Sequence, residues 1–484
     1  MRRTMQYGIP TRRALSNFAA VLIAGSALAG CAAMPPASQL AQPRALDAAP
    51  ANDAAFPADT WWTAYSDPGL DALIAQGLAN SPDMAIAAAR IRAADGVARQ
   101  AGAAALPTLG VDAAVGGNKQ SYNMGIPAQF VPHGVVDTGR ISGTLGLDLD
   151  LWGRNRAALS AASGEGAAAR VDGAQARLLL TSAIALAWGD LAQLYATRDV
   201  AARQAEVLAE TERLTETRRA SGIDSGIDLN LARARHAGAQ QALAALDEAI
   251  AISRNRIAAL VGAGPDLSAT LPMPRAGLTA STAIPAELPA SLVARRPDLA
   301  AALLRTEAAA QRVKVARLDF YPDINLSAVV GLQSLGIAQL FDSGSTYANF
   351  GPAIRLPLFE GGRLRGRYDS AAAGYEEAVA RYDQSLLGAL REVADTLESR
   401  RDLAGRLASA RAADAAAQEA ARLVALRRAQ GIASQLQVLA AEDTALSARR
   451  LVVELEARAY LLDVMLTKAL GGGFTAPTRP LGNN

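Results

Sequence analysis

The feature that most constrains this chain is an internal repeat, because a unit of roughly 210 residues is written twice. Three landmarks recur in the same order and at a nearly constant offset. One is a Leu-rich stretch that ends in Gly-Arg, at 149–154 and again at 356–363. The second is an Arg-Arg-Ala turn with glycine, at 218–223 and 427–432, and the third is a helix end with proline, at 104–107 and 320–322. The sequence therefore predicts a tandem duplication in which both copies, 67–262 and 286–470, carry the same elements in the same order.

Helices dominate each predicted copy. The segments 67–105 and 286–318 have hydrophobic residues at helical spacing, and each copy ends in a stretch rich in Ala, Leu, Arg and Glu, 155–261 and 363–470. Glycine-containing turns divide each stretch into two antiparallel helices. The longer helices would reach about 100 Å at the usual rise per residue. Their many alanines allow helix axes to approach closely, as in a coiled-coil wall, although an ordinary helical bundle has the same period.

Two segments in each copy change to a period of two, at 108–116 and 141–151, and at 322–332 and 350–359. In 141–151, leucine occupies every second position from 145 onward, and threonine, glycine and aspartate occupy the alternate positions from 144 onward. Segments of this length with one apolar and one polar face are typical of transmembrane β-strands, and a half-buried strand of a soluble sandwich is the alternative. Aromatic residues near the strand ends predict a girdle at the periplasmic interface: Trp152, Phe320, Tyr321 and Phe359.

The N-terminus has the pattern of a bacterial lipoprotein signal. Residues 1–30 combine arginines, a short apolar run and small residues, which predicts a signal peptide rather than a membrane span. Cys31 is the only cysteine of the chain and follows Leu28-Ala29-Gly30, which resembles a lipobox. We therefore predict that Cys31 carries a covalent lipid and that 31–66 is a lipidated N-terminal segment. Ala32 stands where an aspartate would favour the inner membrane, so the outer membrane is expected.

Composition and motifs exclude several other functions. The net charge is only +2, and arginine is interleaved with acidic residues, which does not indicate a nucleic-acid partner. A single cysteine and two distant histidines, His133 and His236, provide no metal-ligand spacing, so both histidines are expected to be ordinary surface residues. No nucleophile motif or phosphate-binding loop is present. We predict a protein that is not an enzyme and has no cofactor apart from the lipid.

Four strands cannot close a membrane barrel alone, because unpaired strand edges are not tolerated in lipid. Copies of the chain must therefore assemble. A homotrimer would supply twelve strands, an even number within the bacterial range. The predicted fold is mainly α with a transmembrane β part: a trimeric outer-membrane β-barrel, four strands per protomer, continued by a long periplasmic barrel of coiled-coil helices.

The chain resembles the outer-membrane factor family, the TolC and OprM type of exit duct, and especially the lipoprotein branch from RND-type drug-efflux systems. The resemblance covers nearly the whole mature chain and is carried by 61–62, 67–74, 148–154, 295–299, 321–324, 356–363 and both glycine-containing turns. It implies a trimer that docks to a periplasmic adaptor protein and an inner-membrane transporter. It also implies an equatorial region, for which we nominate the linker 263–285 and the tail 471–484.

The same resemblance places a gate at the periplasmic tip, where the two helical hairpins turn at Gly222 and Gly431. Acidic residues a few positions after the glycine are typical of the family, and Asp224 and Asp228 match in the first hairpin. Threefold symmetry would turn each into a ring of carboxylates. A helix-start carboxylate favoured by the helix dipole is the alternative role. The second hairpin departs from the pattern, because Gln437 stands where an acid is expected.

The function expected from these observations is passive export of small molecules from the periplasm to the exterior, gated at the tip. Two alternatives remain at this point. One is a duct of the same fold for type I protein secretion, and the other is a coiled-coil lipoprotein scaffold without a pore.

Overall fold

A computed structural model describes residues 41–44, 57–123, 125–275, 293 and 295–475. The signal peptide 1–30, Cys31, most of the segment 31–66, the second part of the linker 263–285 and the end of the tail 471–484 lie outside the described residues. In the described part, the chain is mainly helical, with one four-stranded antiparallel sheet, and in both copies two strands are followed by a long helix and a shorter one. The predicted fold class, mainly α with a β part and a tandem duplication, is confirmed.

The first copy begins with two helices, continues with two strands and ends in a helical hairpin, and a short helix follows it in the linker 263–285. These elements are α1 (Pro68–Asn80), α2 (Pro82–Ala103), β1 (Thr108–Asn118), β2 (Val136–Asp148), α3 (Arg154–Ala220), α4 (Gly226–Leu260) and α5 (Pro265–Thr270). The second copy has one helix before its strands. Its elements are α6 (Pro297–Leu318), β3 (Asp323–Leu335), β4 (Thr346–Arg355), α7 (Arg363–Ala429) and α8 (Gln435–Ala469).

The two helical hairpins have the same dimensions. α3 and α7 are 67 residues each, and α4 and α8 are 35 residues each. The predicted stretches 155–261 and 363–470 are therefore each divided by a turn, of five residues in both copies, as the glycines indicated. Identical lengths on both sides of the turn are what a duplicated unit requires.

The prediction of one helix over 67–105 is wrong, because α1 and α2 meet at Ser81. Pro82 has no backbone N–H to continue α1, and Ser81 instead begins the next helix, its hydroxyl accepting from Asp83 N at 3.3 Å. Proline also sets the start of α6, which begins at Pro297 rather than at 286. Of the predicted helix 286–318, residues 286–292 and 294 lie outside the described part.

The predicted strand ends also need correction. β2 covers 136–148 instead of 141–151, because Asp150 has a left-handed backbone (φ 40) and turns the chain toward α3. β4 covers 346–355 instead of 350–359, and Pro357, which cannot donate a ladder hydrogen bond, follows its end. β1 and β3 extend two and three residues beyond the predicted ends 116 and 332, and β3 begins at Asp323 rather than at 322.

The chain divides into two compact units. Among the described residues, the sheet unit consists of 41–43, 92–123, 125–167 and 303–381, and the helical unit of 44, 57–91, 168–275, 293, 295–302 and 382–475. In the sheet unit, α6 and α7 pack through small and aromatic side chains such as Ala309, Val313 and Tyr375. In the helical unit, the largest core surrounds Trp188 and Tyr460, which are 0% and 1% exposed. Each unit therefore has an apolar core of its own.

The sheet has the order β1-β2-β3-β4, with every neighbouring pair antiparallel. Its central pair, β2 and β3, joins the two copies. The register gathers most of the large apolar residues of the four strands on one face, for example in the row Leu109, Leu145, Ala328 and Phe350. The next row along, which begins at Thr108, lies on the opposite face. One face of the sheet is therefore apolar and the other polar.

Candidate functional site

The apolar face of the sheet is exposed in the single chain. Leu109 is 80% exposed, Val111 77%, Phe350 82% and Ile354 70%. Soluble monomers rarely leave a contiguous apolar surface of this kind open to water. Within the described part, no strand pairs with the outer edge of β1 or of β4. The sheet therefore needs both an apolar environment for this face and partners for its two edges.

Aromatic side chains lie where the sheet meets the helices. Trp152 donates from Nε1 to the carbonyl oxygen of Pro322 at 2.7 Å, and its ring lies 5.3 Å from that of Tyr321. Phe359 is 67% exposed in the turn before α7. Phe320 instead packs against the core of the sheet unit. The structure thus brings Trp152 and Tyr321 together and turns Phe320 inward; the girdle itself stays a prediction.

Sequence reasoning missed a charged network at the same end of the sheet. Arg154 lies 3.2 Å from Asp148 and 3.8 Å from Asp319, and Arg367 lies 3.5 Å from the second oxygen of Asp319. These side chains line a cavity of about 280 Å³. The network ties the first turns of α3 and α7 to the end of α6. Of its members, only Arg154 belongs to a repeated sequence landmark, in which Arg363 is its counterpart, and Arg363 pairs with Glu360 instead.

The first hairpin turn is held by local contacts around Gly222. Its φ of +71 is left-handed, and the amides of Gly222 and Ile223 donate back to the carbonyls of Arg219 and Arg218, both at 2.9 Å. This arrangement is a Schellman motif, which closes the last turn of α3 and favours glycine at its left-handed position. Gly222 is therefore required by the backbone of the turn.

Both predicted gate aspartates have partners within this turn. Asp224 accepts two hydrogen bonds from Arg218, each at 2.8 Å, and these lower the pKa of its carboxyl. Asp228 closes a capping box: Ser225 donates to it from its hydroxyl at 2.7 Å and from its amide at 2.9 Å, which lowers the pKa of Asp228 as well. Both side chains are therefore ionised at neutral pH. Arg218 compensates the charge of Asp224, whereas no cation of the described chain pairs with Asp228.

The second hairpin turn repeats this geometry without the charges. Gly431 has a φ of +75, and the amide of Ile432 donates to the carbonyl of Arg427 at 2.9 Å. Gln437 takes the place of Asp228 in the capping box and accepts from the amide of Ser434 at 2.8 Å. The two turns are thus structurally equivalent, and only the first presents an aspartate in its capping box.

The histidines and the acidic residues form no metal centre in the part of the chain described. No group of three or more His, Cys, Asp or Glu residues there could hold a metal ion. His133 stacks edge-on against Tyr122, with ring centroids 5.6 Å apart. His236 lies between Glu212, at 2.7 Å, and Gln240, at 3.0 Å, on the first hairpin.

A sheet with one apolar and one polar face, joined to two very long helical hairpins, defines the class of outer-membrane channel subunits. The sequence profile of the outer membrane efflux protein family matches residues 73–263 and 288–472, and the chain belongs to this family. The two matched segments correspond to the two copies of the repeat. The chain is a protein of the outer membrane, as its sequence predicts, and its relatives carry names of efflux and multidrug-resistance proteins.

Relatives and solved structures agree over most of the chain. The multidrug resistance outer membrane protein MdtP of Escherichia coli K12 is 31% identical over 437 residues, which cover 87% of this chain and 88% of MdtP. The fusaric acid resistance protein FusA of Burkholderia cepacia is 34% identical over 378 residues, covering 73% and 69%. The crystal structure of the outer membrane protein VceC of Vibrio cholerae matches with a TM-score of 0.79 and 40% identity, covering 87% of this chain and all of VceC.

Proposed function

We propose that three copies of this chain form the outer-membrane exit duct of a tripartite efflux pump. The observation that carries the proposal is the two-faced sheet, whose outer edges at β1 and β4 pair with no strand of the described chain. Pairing β4 of one protomer with β1 of the next would satisfy both edges and close a barrel of twelve strands. The apolar faces would then contact lipid, and the polar faces would line a water-filled lumen. The hairpins would continue this lumen into the periplasm as a barrel of helices.

Transport through such a duct is passive passage of small molecules, with energy supplied by a partner. A periplasmic adaptor protein and an inner-membrane transporter are the partners proposed, because the relatives act in multidrug resistance by name. The same names favour small-molecule efflux over type I protein secretion. A scaffold without a pore would not need a sheet with an exposed apolar face.

The gate is assigned to the hairpin turns at the periplasmic tip. The charge of Asp224 is compensated within its own turn by Arg218, so Asp228 is the better source of a ring of negative charge. Three Asp228 carboxylates around a threefold axis would repel one another or hold cations. Gln437 adds no charge to the second hairpin. Gly222 and Gly431 close the two turns and set the positions of these side chains.

A lipid on Cys31 would anchor the duct, and the described segment that follows it supports this. The hydroxyl of Tyr375 donates to the carbonyl of Ala41 at 2.7 Å, which holds the segment against α7. Tyr375 lies twelve residues after Arg363, or about 18 Å along the helix from its sheet end. Ala41 is ten positions after Cys31, and ten residue steps can span about 35 Å when extended. The lipid can therefore reach the membrane level at the base of the sheet.

Single-channel recording of the purified lipidated protein in planar bilayers tests the proposal. We expect a small or intermittent conductance that rises in Asp228→Asn, because the ring loses its charge. Asp83→Asn is the matched control, since Asp83 is also an exposed acid in the first turn of a helix, α2, but lies outside the hairpins. Unchanged gating in Asp228→Asn would show that Asp228 acts only as a helix-capping residue. A protein that never conducts would refute the duct.

A further inference from the structure

We propose that Arg140 and Tyr347 form a binding station for small organic anions, carboxylates above all, on the polar face of the sheet. The proposal rests on the proposed duct, in which this face lines the lumen. Arg140 belongs to β2 of the first repeat and Tyr347 to β4 of the second, so the station exists only when the two repeats of one chain pair.

The register explains how the two side chains meet although β3 lies between their strands. Tyr347 is opposite Gly331, and Gly331 is opposite Ser142, two residues along β2 from Arg140. Because Gly331 has no side chain, the Tyr347 ring can lean across β3. A Cβ at Gly331 would collide with the carbonyl oxygen of Ile141. A glycine covered by a neighbouring aromatic ring is a recognised device of β-sheets.

Tyr347 holds the guanidinium of Arg140 in two ways. Arg140 donates from Nε to the Tyr347 hydroxyl at 2.8 Å, and its guanidinium carbon lies 5.5 Å from the centre of the ring. A cation–π contact of this kind fixes the plane of the guanidinium without neutralising its charge. The side chain is therefore positioned in advance of any ligand.

The positive charge of Arg140 is left uncompensated. In the described residues no carboxylate lies within 4.0 Å of it, whereas Arg355, the other arginine on the polar face of the strands, lies 3.8 Å from Glu360. The terminal nitrogens of Arg140 have no partner in the part of the chain that the structure describes, so their N–H groups are free to donate. A planar fork with free N–H donors binds a carboxylate through two parallel hydrogen bonds.

The surroundings of the pair fit a small polar ligand. An open cavity of about 680 Å³ adjoins the pair, with Asn118, Thr138 and Gln333 in its wall. Ser142, in the same row as Tyr347, is 1% exposed, and its hydroxyl has no hydrogen-bond partner among the described residues. Asp112 completes this row, diagonal to Arg140. In the trimer, three such stations would form a ring near the outer end of the barrel.

Block of single-channel current by sodium benzoate, added on the side of the β1–β2 and β3–β4 loops, tests the station. From that side benzoate reaches the sheet without crossing the hairpin turns, so the gate does not interfere. We expect benzoate to cause brief interruptions of the open current in the wild type. In Arg140→Gln the dissociation constant of benzoate should rise about tenfold or more, because a charge-assisted pair of hydrogen bonds is lost.

Two further variants distinguish binding of benzoate at Arg140 from a general effect of charge on the block. Lys119→Gln removes the same charge from the loop beyond β1 and should leave the block unchanged. Asp112→Asn should strengthen the block about threefold, because it removes a negative charge about 7 Å away across water. Equal block of wild type and Arg140→Gln, with normal conductance, would overturn the station and leave the duct intact. A wild-type protein without conductance would overturn the duct and the station together.

Discussion

Arg296 is the most deeply buried cation of the helical unit that the structure describes, and its replacement should destabilise that unit. Its side chain is 8% exposed and makes four hydrogen bonds: two to Asp298, at 3.1 and 2.8 Å, one to Glu392 at 2.7 Å, and one to the carbonyl of Ala469 at 3.1 Å. It therefore joins the start of α6, the middle of α7 and the end of α8. The sequence shows it only as part of Arg-Arg-Pro-Asp.

The expected effect of Arg296→Met follows from what its partners lose. Removing one member of a buried ion pair costs about 3–5 kcal/mol, because the remaining charge stays desolvated. The side chains of Asp298 and Glu392 are 30% and 39% exposed, so water can reach both carboxylates after the change. Arg296→Met should therefore lower the free energy of unfolding by about 3 kcal/mol, the lower end of that range.

Guanidinium unfolding in detergent, followed by the helical circular dichroism signal, measures this loss as a lower midpoint at unchanged slope. Arg401→Met is the matched control, because Arg401 pairs with Glu398 at 3.8 Å while both side chains are mostly exposed. An exposed pair of this kind contributes less than about 1 kcal/mol. Equal midpoints for the two variants would refute the reasoning that burial makes Arg296 important.

Three other predictions concern the sheet, the turn and the anchor. Gly331→Ala should prevent stable assembly because its Cβ has no room, whereas Gly351→Ala, with open space around it, should assemble normally; the trimer yield after purification decides between them. Arg218→Gln should speed amide hydrogen exchange in the first hairpin turn at neutral pH. In the wild type the lowered pKa of Asp224 means that its stabilisation is complete above the ordinary carboxyl pKa and is lost as the pH falls through the lowered value, so exchange protection that persists in acid would contradict the pairing. Intact mass should show the wild type cleaved before Cys31 and carrying acyl chains, and Cys31→Ser without them; an unmodified wild-type cysteine would exclude the anchor.

Periodicity was sufficient to predict the architecture, because both the helical and the two-residue periods persist over many residues. It was insufficient at the strand ends. Leucines continue the alternation at 149 and 151 and at 356 and 358, but a left-handed Asp150 and Pro357 end the strands. The break at Ser81 was available from Ser-Pro, a local helix-start signal that a long hydrophobic stripe obscured.

The predictability of the candidate sites depended on whether the contacts are local. The capping box of Ser225 and Asp228 is readable from their spacing, and Gly222 from the turn. The pairing of Arg218 with Asp224 depends on the path of the turn and could not be read from the sequence. Arg140 and Tyr347 are 207 residues apart and meet only through the pairing of β2 with β3 and of β3 with β4. No local pattern predicts a contact of that kind.

Disulfide cross-linking tests whether β4 of one protomer pairs with β1 of the next, as the proposed barrel requires. β1 and β4 are opposite edges of the sheet, so within one protomer they are about 14 Å apart, too far for a disulfide. Val111→Cys, combined in turn with Ala348→Cys, Phe350→Cys or Pro352→Cys, scans the possible registers, and the wild type with Cys31 alone is the control. We expect one combination to give covalent species that end at three times the protomer mass. No cross-link in any combination, or a ladder that continues beyond the trimer, would contradict it.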